Sequence, residues 1–140
     1  MSRARAQIVA AAASLIAASG TQAVTMAGVA RAAGVAKATV YNHVRDRDEL
    51  LSAVVREQCA TLQQHVESQP PDQRLAAASG WLSESEVLRG LRRHDPDLVL
   101  ALAATAVADS TISEVVATWI PDGRDPESAL RWLVSFGVAP

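Results

Sequence analysis

Five of the seven residues from position 37 to 43 carry hydrogen-bonding side chains: Lys37, Thr39, Tyr41, Asn42 and His43. Asn can pair bidentately with adenine, Lys can donate to guanine, and Thr can bond a base edge or touch a thymine methyl. Tyr41 and His43 flank the apolar pair Val40 and Val44, and both carry donors able to reach phosphate oxygens. Arg47 lies beside the orphan N–H groups of an expected helix start, a combination that attracts phosphate. This is chemistry for reading duplex DNA rather than for breaking bonds. The chain has no Gly-x-Ser-x-Gly elbow, phosphate-binding Gly loop or His-Glu-x-x-His pair, so no catalytic residue is assigned. His65 and His94 lack a Cys or His at metal-binding spacing, and no metal or cofactor is expected.

Such side chains need a short helix held across another. A first helix is expected over residues 3–19, with Ile8, Ala12, Leu15 and Ile16 on one face and Gly20 as a left-handed C-terminal residue. Thr25 is suited to cap a second helix, whose apolar positions Met26, Val29, Ala30 and Ala33 follow helical spacing. Gly34 and Val35 then make a tight turn into a third helix over residues 36–44. Two helices joined by a short Gly-containing turn are the helix-turn-helix signature, because the turn needs positive φ. Asp46, with Glu49 three residues on, predicts a capping box opening a long fourth helix to about residue 67. Its apolar stripe is Leu50, Leu51, Val54, Val55 and Leu62. Further helices are expected over residues 72–82, 84–93, 97–108, 110–119 and 126–138, with Ser83 and Glu86 as a second capping box.

Composition agrees with an all-α chain. Alanine dominates, and of 13 basic residues only Lys37 is a lysine. A net charge of −2 rules out a uniformly basic nucleic-acid binder, but the halves differ. Residues 1–60 carry seven basic and four acidic residues, +3, and the remaining 80 carry six and eleven, −5. The basic end is the one bearing the candidate readers. Cys59 is the only cysteine, which fits a reducing compartment, and cytoplasmic localisation is expected. Residues 1–23 imitate a secretory signal, yet their alanine-heavy helical periodicity favours a structural helix. No apolar run approaches the ~20 residues of a membrane span.

Residues 25–51, TMAGVARAAGVAKATVYNHVRDRDELL, resemble the TetR family of transcriptional regulators. The resemblance rests on Thr25, the pair Val29-Ala30, the turn Ala33-Gly34-Val35, then Thr39-Val40-Tyr41, His43, and Arg47-Asp48-Glu49-Leu50-Leu51. The first helix, ending in Gly20, also fits. The resemblance implies phosphate contacts for Thr25, Tyr41 and His43. Four positions depart from the family pattern: Ala36 for Ser, Ala38 for Gly, Val44 for Phe and Arg47 for Lys.

The expected architecture is all-α: a three-helix helix-turn-helix domain over residues 1–47, joined by the long fourth helix to a short helical domain over 48–140. In the resembled family that second domain dimerises and encloses a small-molecule pocket. The expected partners are therefore double-stranded DNA, a second copy of the chain as homodimer, and an unidentified small-molecule effector, with no membrane. Trp81, Val87, Leu91, Leu98, Leu102 and Trp119 are the pocket candidates, although helical spacing predicts core equally well. Leu130, Trp132, Leu133 and Phe136 are the dimer-interface candidates. The resemblance implies a ligand-responsive repressor on a pseudo-palindromic operator. The competing reading is a helical protein-interaction module that keeps an unused helix-turn-helix scaffold.

Overall fold

Alanine-rich runs punctuated by capping residues, Gly and Pro give helices and short turns. The computed structural model describes residues 2–120 and 124–138. Among them are nine α-helices and no strand: α1 (Arg3–Ser19), α2 (Met26–Ala33), α3 (Lys37–His43), α4 (Arg47–Glu67), α5 (Arg74–Glu84), α6 (Glu86–His94), α7 (Pro96–Ala108), α8 (Ser110–Ala117) and α9 (Pro126–Val138). The chain forms two units, Met1–Ala60 and Thr61–Pro140, with the division inside α4. That is later than the expected break after Arg47. The first turns of α4 belong to the N-terminal unit because Leu50, Ala53 and Val54 are buried.

In the N-terminal unit α1 packs on α2 and α2 on α3. Ile8, Ala12 and Ile16 of α1 are buried, as are Val24, Val29, Val40, Val44 and Leu50. The local signals act where expected. Thr25 Oγ1 accepts from Gly28 N at 3.0 Å and caps α2. Gly34 ends α2 in the left-handed region, φ 69 and ψ 31. Gly20 also has positive φ, but its ψ of −178 places it outside the expected left-handed well. At the start of α4, Asp46 Oδ1 accepts from Glu49 N at 2.8 Å. The reciprocal bond is shifted by one residue, since Glu49 Oε2 accepts from Arg45 N at 2.6 Å.

Gly28 was not singled out by the sequence, yet its environment is closed. A Cβ there would lie 2.9 Å from Thr25 Oγ1 and 3.1 Å from Ala23 O. Gly28→Ala gains about 1 kcal/mol of helix propensity but displaces the capping hydroxyl, worth about 1 kcal/mol, and crowds a backbone carbonyl at about 1–3 kcal/mol. The expected net loss is about 1–3 kcal/mol, read from denaturant midpoints. A variant as stable as the parent contradicts this packing.

In the C-terminal unit, Val66, Ala78, Val116, Trp119, Ala129, Leu130 and Leu133 form one core cluster, and α9 packs on α5, α7 and α8. Several boundaries differ from expectation. Pro71–Gln73 forms a separate 3₁₀ turn before α5, and α8 stops at Ala117. Ser85, not Ser83, caps α6 by accepting from Leu88 N. Ser83 instead donates to Ser79 O within α5. Val55, expected on the apolar stripe of α4, is exposed. No single described helix is long and apolar enough to cross a membrane.

Asp125 caps α9, with Oδ2 accepting from Ser128 Oγ at 2.7 Å and Ser128 N at 2.9 Å. These bonds hold its carboxyl below the ordinary aspartate range. A depressed folded-state pKa gives stability that is present above the unfolded value and lost as pH falls through the folded one. Acid titration is therefore expected to loosen the start of α9 below the ordinary Asp range, with that sensitivity absent in Asp125→Asn. Identical acid profiles for the two proteins contradict this.

Candidate nucleic-acid interface

Val40 and Val44 are buried at 0 % and 2 % exposure and pin one side of α3 to the N-terminal core. Helical geometry then turns the opposite edge outward. Lys37, Tyr41 and Asn42 are exposed, and Thr39 and His43 are half-buried. Lys37 Nζ lies 6.0 Å from the centre of the Tyr41 ring, so these i, i+4 side chains share one edge. Tyr41 is 49 % exposed, so its hydroxyl is presented rather than buried. Ala36 precedes α3 without a side-chain cap, leaving the first N–H groups of the helix to other acceptors.

Thr25 is exposed and caps α2. The cap uses an oxygen lone pair, while the hydroxyl proton is a separate donor. Arg47 takes a different position from the one expected. Its Nε donates to Val24 O at 2.9 Å and its Nη2 to Thr21 O at 2.7 Å. The guanidinium is folded onto the protein's own backbone, because the two carbonyls before α2 match its fork. Arg5 Nη1 likewise donates to His43 O at the end of α3. Sequence reasoning did not select Arg5, and an acceptor on the main chain leaves no side-chain signature. The outward basic residues of this unit are Arg3, Arg31, Lys37, Arg45 and Arg56. Arg45 also lies 3.8 Å from Glu49 in an exposed pair.

The C-terminal unit scatters the pocket candidates. Trp119 is 5 % exposed and belongs to the core cluster, and Leu91 is buried. Trp81 and Val87 are half-buried, and Leu98 and Leu102 face solvent. A cleft of about 450 Å³ is lined instead by Leu75, Arg124, Asp125, Ser128, Ala129 and Trp132. The interface candidates also divide. Leu130 and Leu133 are consumed by the core, so neither is available to a second chain. Trp132 is 46 % exposed and meets Phe136 edge-to-face, with ring centres 4.7 Å apart. Cys59 is exposed, and partial desolvation by its neighbours pushes its thiol up, the opposite direction from a reactive thiolate. Among the described residues no three His, Cys, Asp or Glu side chains gather as a metal site would require.

Residues 8–54 match the family described as bacterial regulatory proteins, tetR family. No curated protein matches the chain. The matched segment runs from the buried face of α1 through the Gly34 turn and α3 to Val54, which is the helix-turn-helix just described. Residues 8–54 therefore form an N-terminal segment of the tetR type, the DNA-binding part of a family of bacterial transcription regulators.

Proposed function

We propose that the chain is a homodimeric, ligand-responsive repressor that reads a pseudo-palindromic operator in the cytoplasm. The observation that carries the DNA-reading part is the split of α3 into a buried Val40 side and an exposed Lys37-Tyr41-Asn42 edge. In a helix-turn-helix the second helix enters the major groove and reads base edges, while neighbouring groups hold phosphates. Lys37, Thr39 and Asn42 are assigned to bases, and Thr25, Tyr41 and His43 to phosphates. Arg47 is withdrawn from that set.

Dimerisation is assigned to the C-terminal unit. Leu98, Leu100, Leu102, Ile112 and Trp132 are large, apolar and exposed on α7, α8 and α9, three helices that pack together. Exposed apolar surface of this kind marks an interaction site. A two-fold pair of recognition helices about 34–36 Å apart fits successive major grooves. The effector acts by binding one state of the dimer better than the other, a 100-fold difference being worth about 2.7 kcal/mol.

Selection of bound fragments from genomic DNA, followed by salt titration of the recovered duplex, tests the reading. The expected result is an enriched pseudo-palindrome whose affinity falls steeply as salt rises. Recovery of no preferred sequence, with binding indifferent to salt, overturns it in favour of a protein-interaction module.

A further inference from the structure

The recognition helix has only seven residues, too few to hold its own conformation in water. Its aim must come from the elements around it. Hydrophobic burial of Val40 and Val44 fixes its depth but is not directional. The directional ties visible at the two ends of the helix-turn-helix are both arginines. Arg5 of α1 donates to the carbonyl of His43, in the last turn of α3. That carbonyl is among the four a helix leaves unpaired, at the end where a cation is favoured. Arg47 of α4 donates from Nε and Nη2 to Val24 O and Thr21 O, immediately before the cap of α2. Every residue assigned to DNA, from Thr25 to His43, lies between these two anchor points in the chain.

We propose that Arg47 and Arg5 are positioning residues for DNA recognition, which act by clamping backbone carbonyls at the entry to α2 and the exit of α3 rather than by neutralising phosphates. The proposal rests on the DNA-reading function above. Its consequence is that two of the seven basic residues in the first sixty add to specificity and not to the count of phosphate contacts. The Arg47 clamp is the sharper case, because one planar fork spans two carbonyls. Lysine keeps the charge but offers a single ammonium and cannot reproduce the fork.

That difference gives a test in the full-length chain, on its selected operator and on a scrambled duplex of equal length. Arg47→Lys is expected to weaken operator binding at least tenfold. Its affinity for the scrambled duplex should stay within about twofold, and the slope of log K against log salt on that duplex should not change. A phosphate contact behaves oppositely: Arg47→Lys retains operator affinity, and Arg47→Met lowers the salt slope by about 0.9 for each bound subunit. That pattern overturns the proposal, as does an equal loss on both duplexes, which marks general destabilisation. The wild-type protein supplies a second readout that needs no variant. Its Arg47 Nε–H, followed by nitrogen-resolved NMR in the absence of DNA, is expected to exchange slowly with water, and rapid exchange overturns the clamp. Arg5→Lys is expected to follow Arg47→Lys in the same specificity ratio. Failure of wild type to prefer any duplex removes the DNA-reading function itself, and is seen before any variant is made.

Discussion

Replacing Lys37 and Asn42 together by alanine is expected to remove site-specific DNA binding while leaving the fold intact. Both side chains are exposed on α3, and neither contributes to the buried core. Each well-made base contact is worth about 1–3 kcal/mol of discrimination. Two of them give about 2–6 kcal/mol per half-site, a loss of roughly 30-fold to more than 10⁴-fold in specific affinity for each half-site. The cost to stability is small. Loss of the Lys37–Tyr41 contact at a solvated edge removes less than about 1 kcal/mol. Fluorescence anisotropy on the selected operator, with thermal melts alongside, separates the two quantities. Retained operator binding in the double variant points to the protein-interaction reading instead.

The second large effect is expected at Trp119, in the core of the C-terminal unit. Trp119 is 5 % exposed and packs with Val66, Ala78, Val116, Ala129, Leu130 and Leu133. Trp119→Ala deletes the bulkiest group of that cluster and is expected to cost about 3–5 kcal/mol. Trp119→Phe is a different perturbation. The indole Nε1 is buried with no hydrogen-bond partner among the described residues, and an unsatisfied buried donor costs about 1–3 kcal/mol. Phenylalanine gives up some packing but removes that penalty, so its net cost is expected to stay under about 1.5 kcal/mol. Urea unfolding followed by helical circular dichroism measures both. A Phe variant as unstable as the Ala variant shows that the indole N–H contributes a bond of its own.

The N-terminal unit was legible because its signals are local and mutually consistent. Thr25 caps, Gly34 needs positive φ, Asp46 starts a helix, and Val29, Val40 and Leu50 fall on inward faces. Each acts within a few residues, so spacing alone carries it. What sequence could not carry was the destination of the long side chains. Arg47 occupies a position where a cation can reach either DNA or its own chain, and the carbonyls of Thr21 and Val24 that capture it leave no mark in residue identity. Arg5 was hidden for the same reason. Gly28 was missed because its constraint is a close approach to Ala23 O, which depends on the path of the preceding turn.

The C-terminal unit was read less well for a physical reason. Helix α7 is apolar around much of its circumference, so periodicity cannot say that Val99 is buried while Leu98, Leu100 and Leu102 are exposed. Leu130 and Leu133 share a helix with Trp132 and Phe136, and only the packing of α9 on α5, α7 and α8 separates core from surface. The excess positive charge lies in the N-terminal segment by count, but two of its cations are turned onto backbone carbonyls.

Everything proposed for this chain depends on α3 occupying a wide groove of duplex DNA. Dimethyl sulfate footprinting of the wild-type complex probes guanine N7, which faces that groove. Two clusters of shielded guanines are anticipated, centred about 10 base pairs apart. Guanine reactivity unchanged by saturating protein, or shielding confined to adenine N3 on the opposite side of the duplex, would contradict the account.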